Sequence, residues 1–269
     1  MGIIGGEPTL HPMFKQILEI TGNYSVENDL DTMIFTNGIE LEKFLPYIKE
    51  RHRILINCNS PIYQTESQYR ALMSTLDAID EKGWFDYKKA ICGCNIHLDC
   101  DNYDYFWNIV KKYNLKEIRC SVVNPSGEYL EYISQKTEYF NKIKPLFMEF
   151  CRKAKEHNCF IEMDCAKIPI CYFTDEELKF VKEQTQDSCL DTYCYPIVDI
   201  LPDYKAVPCF GTFTPVDIEL FKNMNELRRY LHIKKMTPKL EGNKEGRCLI
   251  CPMHSLLQCQ GGCLKFSQI

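Results

Sequence analysis

Short β-type runs and amphipathic helical stretches alternate along the first two thirds of this chain, and that alternation limits its possible folds more than any other feature. The β-type runs cover residues 32–36, 54–57, 90–98, 118–123 and 160–163. Between them, apolar residues recur at helical spacing: Leu41, Phe44, Leu45 and Ile48; Tyr69, Leu72, Met73, Leu76 and Ile79; Phe106, Ile109, Val110 and Tyr113; Phe140, Ile143, Phe147, Phe150 and Ala154. Strand and helix in strict turn predict an α/β fold whose parallel sheet has right-handed crossovers, either doubly wound or closed toward a barrel. Thr174-Asp175-Glu176-Glu177 forms a capping box that opens one more helix near the end of this layer.

With 269 residues, 45% hydrophobic and 26% charged, the chain can bury one large core and carry a small appended module. Its net charge of -5 argues against a nucleic-acid surface, and no apolar run approaches the roughly twenty residues that span a bilayer. Met1-Gly2-Ile3-Ile4 runs straight into Gly5-Gly6 with no signal-peptide character. The sixteen cysteines are therefore read as thiols or metal ligands of a cytoplasmic protein rather than as disulfides.

Ligands of parallel sheets sit at the carboxyl ends of the strands. The polar residues placed there are Glu7, Thr36-Asn37-Gly38, Asn57 to Ser60, Asn95 and His97, and Asn124-Pro125. Most are neutral, and no paired carboxylates or nucleophile-base set accompanies them, which favours a zwitterionic or nucleoside-like ligand over acid-base hydrolysis. Gly5-Gly6-Glu7-Pro8-Thr9-Leu10-His11-Pro12 reads as a strand end and a glycine turn, and a helix follows. Such a turn shows its backbone N–H groups to a ligand, and Glu7 adds an acceptor for an ammonium group.

After residue 186 the pattern changes to cysteines. Cys189, Cys194, Cys209, Cys248, Cys251, Cys259 and Cys263 follow the spacing C-x4-C-x14-C-x38-C-x2-C-x7-C-x3-C. A C-x2-C turn aims two thiolates at one point and needs a second pair to complete a four-sulfur shell, for zinc or for an iron-sulfur cluster. Residues 195–201 and 206–210, joined by Pro202-Asp203, predict a hairpin that brings Cys194 and Cys209 together.

In these segments the chain resembles a radical S-adenosylmethionine enzyme with a SPASM or twitch type auxiliary-cluster domain. The glycine-turn motif, Thr36-Asn37-Gly38, the hairpin and the Cys-Gln-Gly-Gly-Cys segment carry the resemblance. It implies a partial (βα)6 barrel in residues 1–186 and a small β-hairpin/helix auxiliary iron-sulfur module in residues 187–269. It also implies S-adenosylmethionine and 4Fe–4S clusters as cofactors. Gly5, Gly6, Glu7, Pro8, Thr36, Asn37, Asn95 and Asn124 would surround the former, and the seven cysteines above would hold the latter. The implied reaction is hydrogen abstraction by a 5′-deoxyadenosyl radical from a peptide or protein substrate, with an electron donor as partner.

Two departures qualify the resemblance. The C-x3-C-x2-C loop that defines the family occurs nowhere in the chain, so the barrel is expected to be N-terminally truncated, prone to self-association, and inactive without an upstream cluster segment. Seven C-terminal cysteines are also one short of two four-thiolate shells. The alternative reading is a noncatalytic iron-sulfur or zinc protein that keeps the scaffold. Cys58, Cys92, Cys94, Cys100, Cys120, Cys151, Cys159, Cys165 and Cys171 are expected to be mostly core packing.

Overall fold

The computed structural model describes residues 1–100, 102–123, 131–165, 167–190, 194, 197–209, 212–242, 246–256, 259 and 261–266. Two compact units emerge: Met1–Ser121 with Leu146–Asp164 and Gln184–Gln186, and Val122–Pro145 with Cys165–Glu183 and Asp187–Ile269.

The first unit is built on a six-stranded sheet of order β1-β2-β3-β4-β5-β6, formed by Gly2–Ile3, Thr32–Thr36, His52–Asn57, Ala90–Ile96, Glu117–Val122 and Phe160–Met163. The recorded pairings are parallel, with Ile34 beside Ile54 and Ile54 beside Ala90. Strands laid down in chain order with right-handed crossovers put every helix on the same face, so the doubly wound alternative is excluded. Burial alternates accordingly. Ile34, Ile54, Ile56, Cys92, Cys94, Ile118, Cys120 and Ile161 are buried on one face, while on the other Phe35, Asn95, Arg119 and Ser121 are only half-buried, with Leu55 and Gly93 the buried exceptions.

One contact crosses the half-buried face. Strands β2 and β5 are three places apart, about 14 Å in a flat sheet. The Arg119 guanidinium nevertheless lies 5.9 Å from the centre of the Phe35 ring. Gly93, on the same face of β4, has no side chain to stand between them. Side chains of strands three places apart thus meet across this face.

Helix α1 (Phe14–Glu27) buries Phe14 and Leu18 against Ile34. Helix α2 (Glu66–Glu81) starts at a complete capping box of Thr65 and Gln68, and α3 (Asp104–Lys112) buries Phe106, Ile109 and Val110. Helix α4 (Lys136–Glu156) brings Phe150 against Tyr103, Phe106 and Trp107, with ring centres 5.6, 5.9 and 4.6 Å away. The helix expected over Leu41 to Ile48 is instead a 3-10 turn, Glu42–Tyr47. Pro46 lies inside it and has no N–H for an α-helical bond.

The second unit is made of shorter pieces. Helix α5 (Asp175–Thr185) opens with the expected capping box, Thr174 N donating to Glu177 Oε2 at 2.8 Å and Glu177 N to Thr174 Oγ1 at 3.2 Å. The hairpin exists as β7 (Asp199–Ile200) and β8 (Lys205–Val207), and an unforeseen third strand, β9 (Val216–Asp217), pairs with β8. Helix α6 (Met224–Tyr230) supplies Leu227, and the following π-turn supplies Leu231; both cover Ala206. No described helix is long and apolar enough to cross a membrane.

Candidate functional site

Glu7 organises the end of the sheet in the first unit. Its Oε1 accepts from Thr9 N at 3.1 Å, Thr9 Oγ1 at 2.6 Å and Thr36 Oγ1 at 2.7 Å, and its Oε2 accepts from Asn37 N at 2.7 Å. The carboxylate thus ties the glycine turn to the carboxyl end of β2. Oε2, with one recorded donor, keeps acceptor capacity for a ligand. Pro8 begins the short 3-10 turn that Glu7 caps.

The two glycines before Glu7 are exposed, and a Cβ added at either would meet no atom within 4 Å. Neither has a positive φ. Their small size answers no internal crowding and leaves the backbone open from outside. Gly38 is the opposite case: at φ +78 its added Cβ would fall 2.8 Å from Leu72 Cδ1. That glycine is demanded by the fold.

Asn95 lies on the half-buried face, where its Oδ1 accepts from Ser121 Oγ at 2.6 Å. Nearby on the same face Arg119 donates to Asp164 Oδ1 at 3.0 Å. Asn124 lies outside the described residues. The structure therefore joins Glu7, Thr36 and Asn37 in one hydrogen-bonded group and gives Asn95 a separate partner.

In the second unit the cysteines sort into two neighbourhoods. Cys248, Cys251 and Cys259 line one cavity of about 100 Å³, together with Cys171, His254, Lys136 and Gly261. Cys251 N donates to Cys248 O at 3.3 Å, closing the C-x2-C turn, and Gly261 N donates to Cys259 Sγ at 3.3 Å. The other neighbourhood surrounds Cys194, whose thiol is pushed up to about 12 by burial and then by Cys263, Cys209 and Cys165. The expected closeness of Cys194 and Cys209 is present. Cys189 is buried in a 3-10 turn, Ser188–Leu190.

All sixteen cysteines are thiols. Among the described residues, no three His, Cys, Asp or Glu side chains stand together as a preformed metal-ion site. The first set of thiols rings a space instead. Thiols lining one space are the donor type that either zinc or an iron-sulfur cluster takes.

Seven of the nine cysteines expected in the core are buried, but Cys165 and Cys171 are exposed, and each belongs to one of the two neighbourhoods. Sequence reasoning missed them because they lie far upstream of the C-terminal rhythm. Their own C-x5-C spacing, just after the last sheet strand, was the available signal.

No protein-family model and no curated protein matches the chain. Among solved structures it is similar to Streptococcus suis SuiB bound to S-adenosylmethionine, with a TM-score of 0.55 and 13% sequence identity over 97% of this chain. A second crystal structure of Streptococcus suis SuiB matches equally, at a TM-score of 0.55 and 13% identity over 97% of this chain. The chain spans 61% and 62% of the length of those two structures. At that identity the similarity shows the fold: this chain has the α/β architecture of SuiB.

Proposed function

We propose that the chain is part of a radical S-adenosylmethionine enzyme acting on a peptide or protein in a reducing cytoplasm, with residues 187–269 as an auxiliary iron-sulfur module. The observation that carries this reading is Glu7, whose carboxylate ties an open glycine turn to the end of β2. The shared fold with an S-adenosylmethionine-bound structure supports it. When bound, a 4Fe–4S cluster and S-adenosylmethionine supply the 5′-deoxyadenosyl radical that abstracts hydrogen from the substrate.

The residues of this chain have simpler tasks. Gly5 and Gly6 offer their backbone to the methionyl end of the cofactor. Glu7 Oε2 accepts from its ammonium group, while the donors on Oε1 keep the carboxylate aimed. Thr9, Thr36 and Asn37 brace that carboxylate, Pro8 starts the turn that it caps, and Asn95 and Asn124 serve the nucleoside end. The C-terminal thiolates would hold auxiliary clusters, whose chemistry is electron exchange with a donor.

Anaerobic reconstitution with iron and sulfide tests the proposal. The chain as given is expected to bind S-adenosylmethionine and about four or more irons. With dithionite it should release no 5′-deoxyadenosine, since it has no C-x3-C-x2-C spacing. Joined to an upstream segment carrying that spacing, it should release it. Colourless, zinc-loaded protein that ignores S-adenosylmethionine would establish the noncatalytic scaffold instead.

A further inference from the structure

We propose that Cys171 is the fourth thiolate of the site formed by Cys248, Cys251 and Cys259. The proposal rests on the reading of the C-terminal cysteines as metal ligands and deepens it. Three cysteines from one short segment leave a four-sulfur shell incomplete. Cys263, Cys209 and Cys165 are neighbours of Cys194 instead. Cys171 lies in the wall of the same cavity as the three, although it is remote from them in sequence.

Its carrier is held in place. Cys171 belongs to a 3-10 turn, Ile170–Tyr172, whose Tyr172 ring lies 4.9 Å from that of Phe140 and whose Tyr172 hydroxyl is 3.2 Å from Thr137 Oγ1. Both partners are on α4. Unlike the seven buried cysteines of the first unit, Cys171 is exposed, so its thiol can reach an incoming ion and give up its proton.

The charge in the cavity wall points the same way. Lys136, only 9% exposed, lines the cavity, and its ammonium donates to Gly261 O. Gly262, at φ +92, presses the neighbouring turn onto this wall, where an added Cβ would fall 2.9 Å from Pro169 Cγ and 3.8 Å from Lys136 Cε. Four thiolates gathered around one cavity repel one another, and the Lys136 cation beside them offsets part of that cost.

The test compares Cys171→Ala, Cys251→Ala and Cys165→Ala in the full chain after anaerobic reconstitution, reading iron, zinc, sulfide, the visible spectrum and electron paramagnetic resonance. Cys171→Ala is expected to lose the same metal as Cys251→Ala, about four irons, or to leave an iron-deficient cluster with an altered resonance signal. Cys165→Ala should leave that cluster's signal intact. Full metal in Cys171→Ala beside a loss in Cys251→Ala overturns the proposal and spares the functional reading. No metal in the wild type, or no loss in either variant, overturns both.

A second measurement covers the case in which the variant fails to fold. In wild-type protein, iodoacetamide should alkylate Cys171 in the apo form and not in the metal-loaded form. Equal alkylation in both forms overturns the proposal.

Discussion

The two units of this chain are held together by different means. In the first, β2 to β5 are five, six, seven and six residues long, and their ladders are backed by Phe14, Leu18, Leu72, Leu76, Phe106 and Phe150. In the second, β7, β8 and β9 are two, three and two residues long. Ladders that short bury little and fix few residues. What the second unit has instead is thiols gathered around a cavity and around Cys194. The difference teaches that the sheet unit is specified by apolar burial, whereas the cysteine unit, on the proposed reading, is completed by the metal its thiolates would hold.

The largest effect should come from removing that ligand. Stripping metal with a chelator is expected to abolish most hydrogen-exchange protection at Ala206, Val207, Leu227 and Leu231, while Ile54 to Ile56 and Cys92 to Ile96 stay protected. Loss of protection in both regions at once would erase the distinction between the units. A Phe150→Ala exchange attacks the other side. It removes the ring that packs on Tyr103, Phe106 and Trp107, and should cost about 3–5 kcal/mol in denaturant unfolding with metal content unchanged.

A third effect is set by pH. His52 is buried, with Nδ1 accepting from Lys49 N at 3.0 Å and Nε2 3.2 Å from Thr21 Oγ1. Burial, and then the charges of Lys89 and Lys49, hold its pKa down to about 4 from 6.5. The folded protein therefore binds the His52 proton less readily than the unfolded chain does. Its stabilising contribution is complete above pH 6.5 and is lost as pH falls toward 4, by at most about 3 kcal/mol. Replacing His52 with Asn should flatten that part of the stability-pH curve.

The smallest effect is local. Glu7→Gln leaves one side-chain atom unable to accept, so a donor among Thr9, Thr36 and Asn37 loses its partner. Roughly 1–3 kcal/mol of stability should go, and S-adenosylmethionine binding should weaken about tenfold in a calorimetric titration. Undiminished binding by the Gln variant would remove Glu7 from the cofactor site and leave it a purely structural brace.

The positions of β2 to β6 and the helices α2 to α5 were legible in the sequence, because apolar spacing of two and of 3.6 residues is a local property. The capping box at Thr174 and the hairpin with its Pro202-Asp203 turn were legible for the same reason. So was the closeness of Cys194 and Cys209, which the turn between them dictates. The Leu41 to Ile48 segment misled because its helical spacing is real but Pro46 interrupts the backbone bonds. Strand β9, at two residues, is too short to show a period at all.

Other features belong to the tertiary structure alone. A sequence of alternating strands and helices does not state their order in the sheet; only the pairing of β1 through β6 in chain order excluded a doubly wound fold. Arg119 meets Phe35 across the half-buried face, and no spacing rule connects those two residues. The hydrogen bonds from Thr36 and Asn37 to Glu7 join segments that are adjacent only once β1 and β2 pair. Cys171 is the plainest case. Its neighbours in sequence identify a turn after a strand, and only folding puts its thiol in one wall with Cys248, Cys251 and Cys259. Local spacing determines which elements form, and long-range packing decides which side chains share a site.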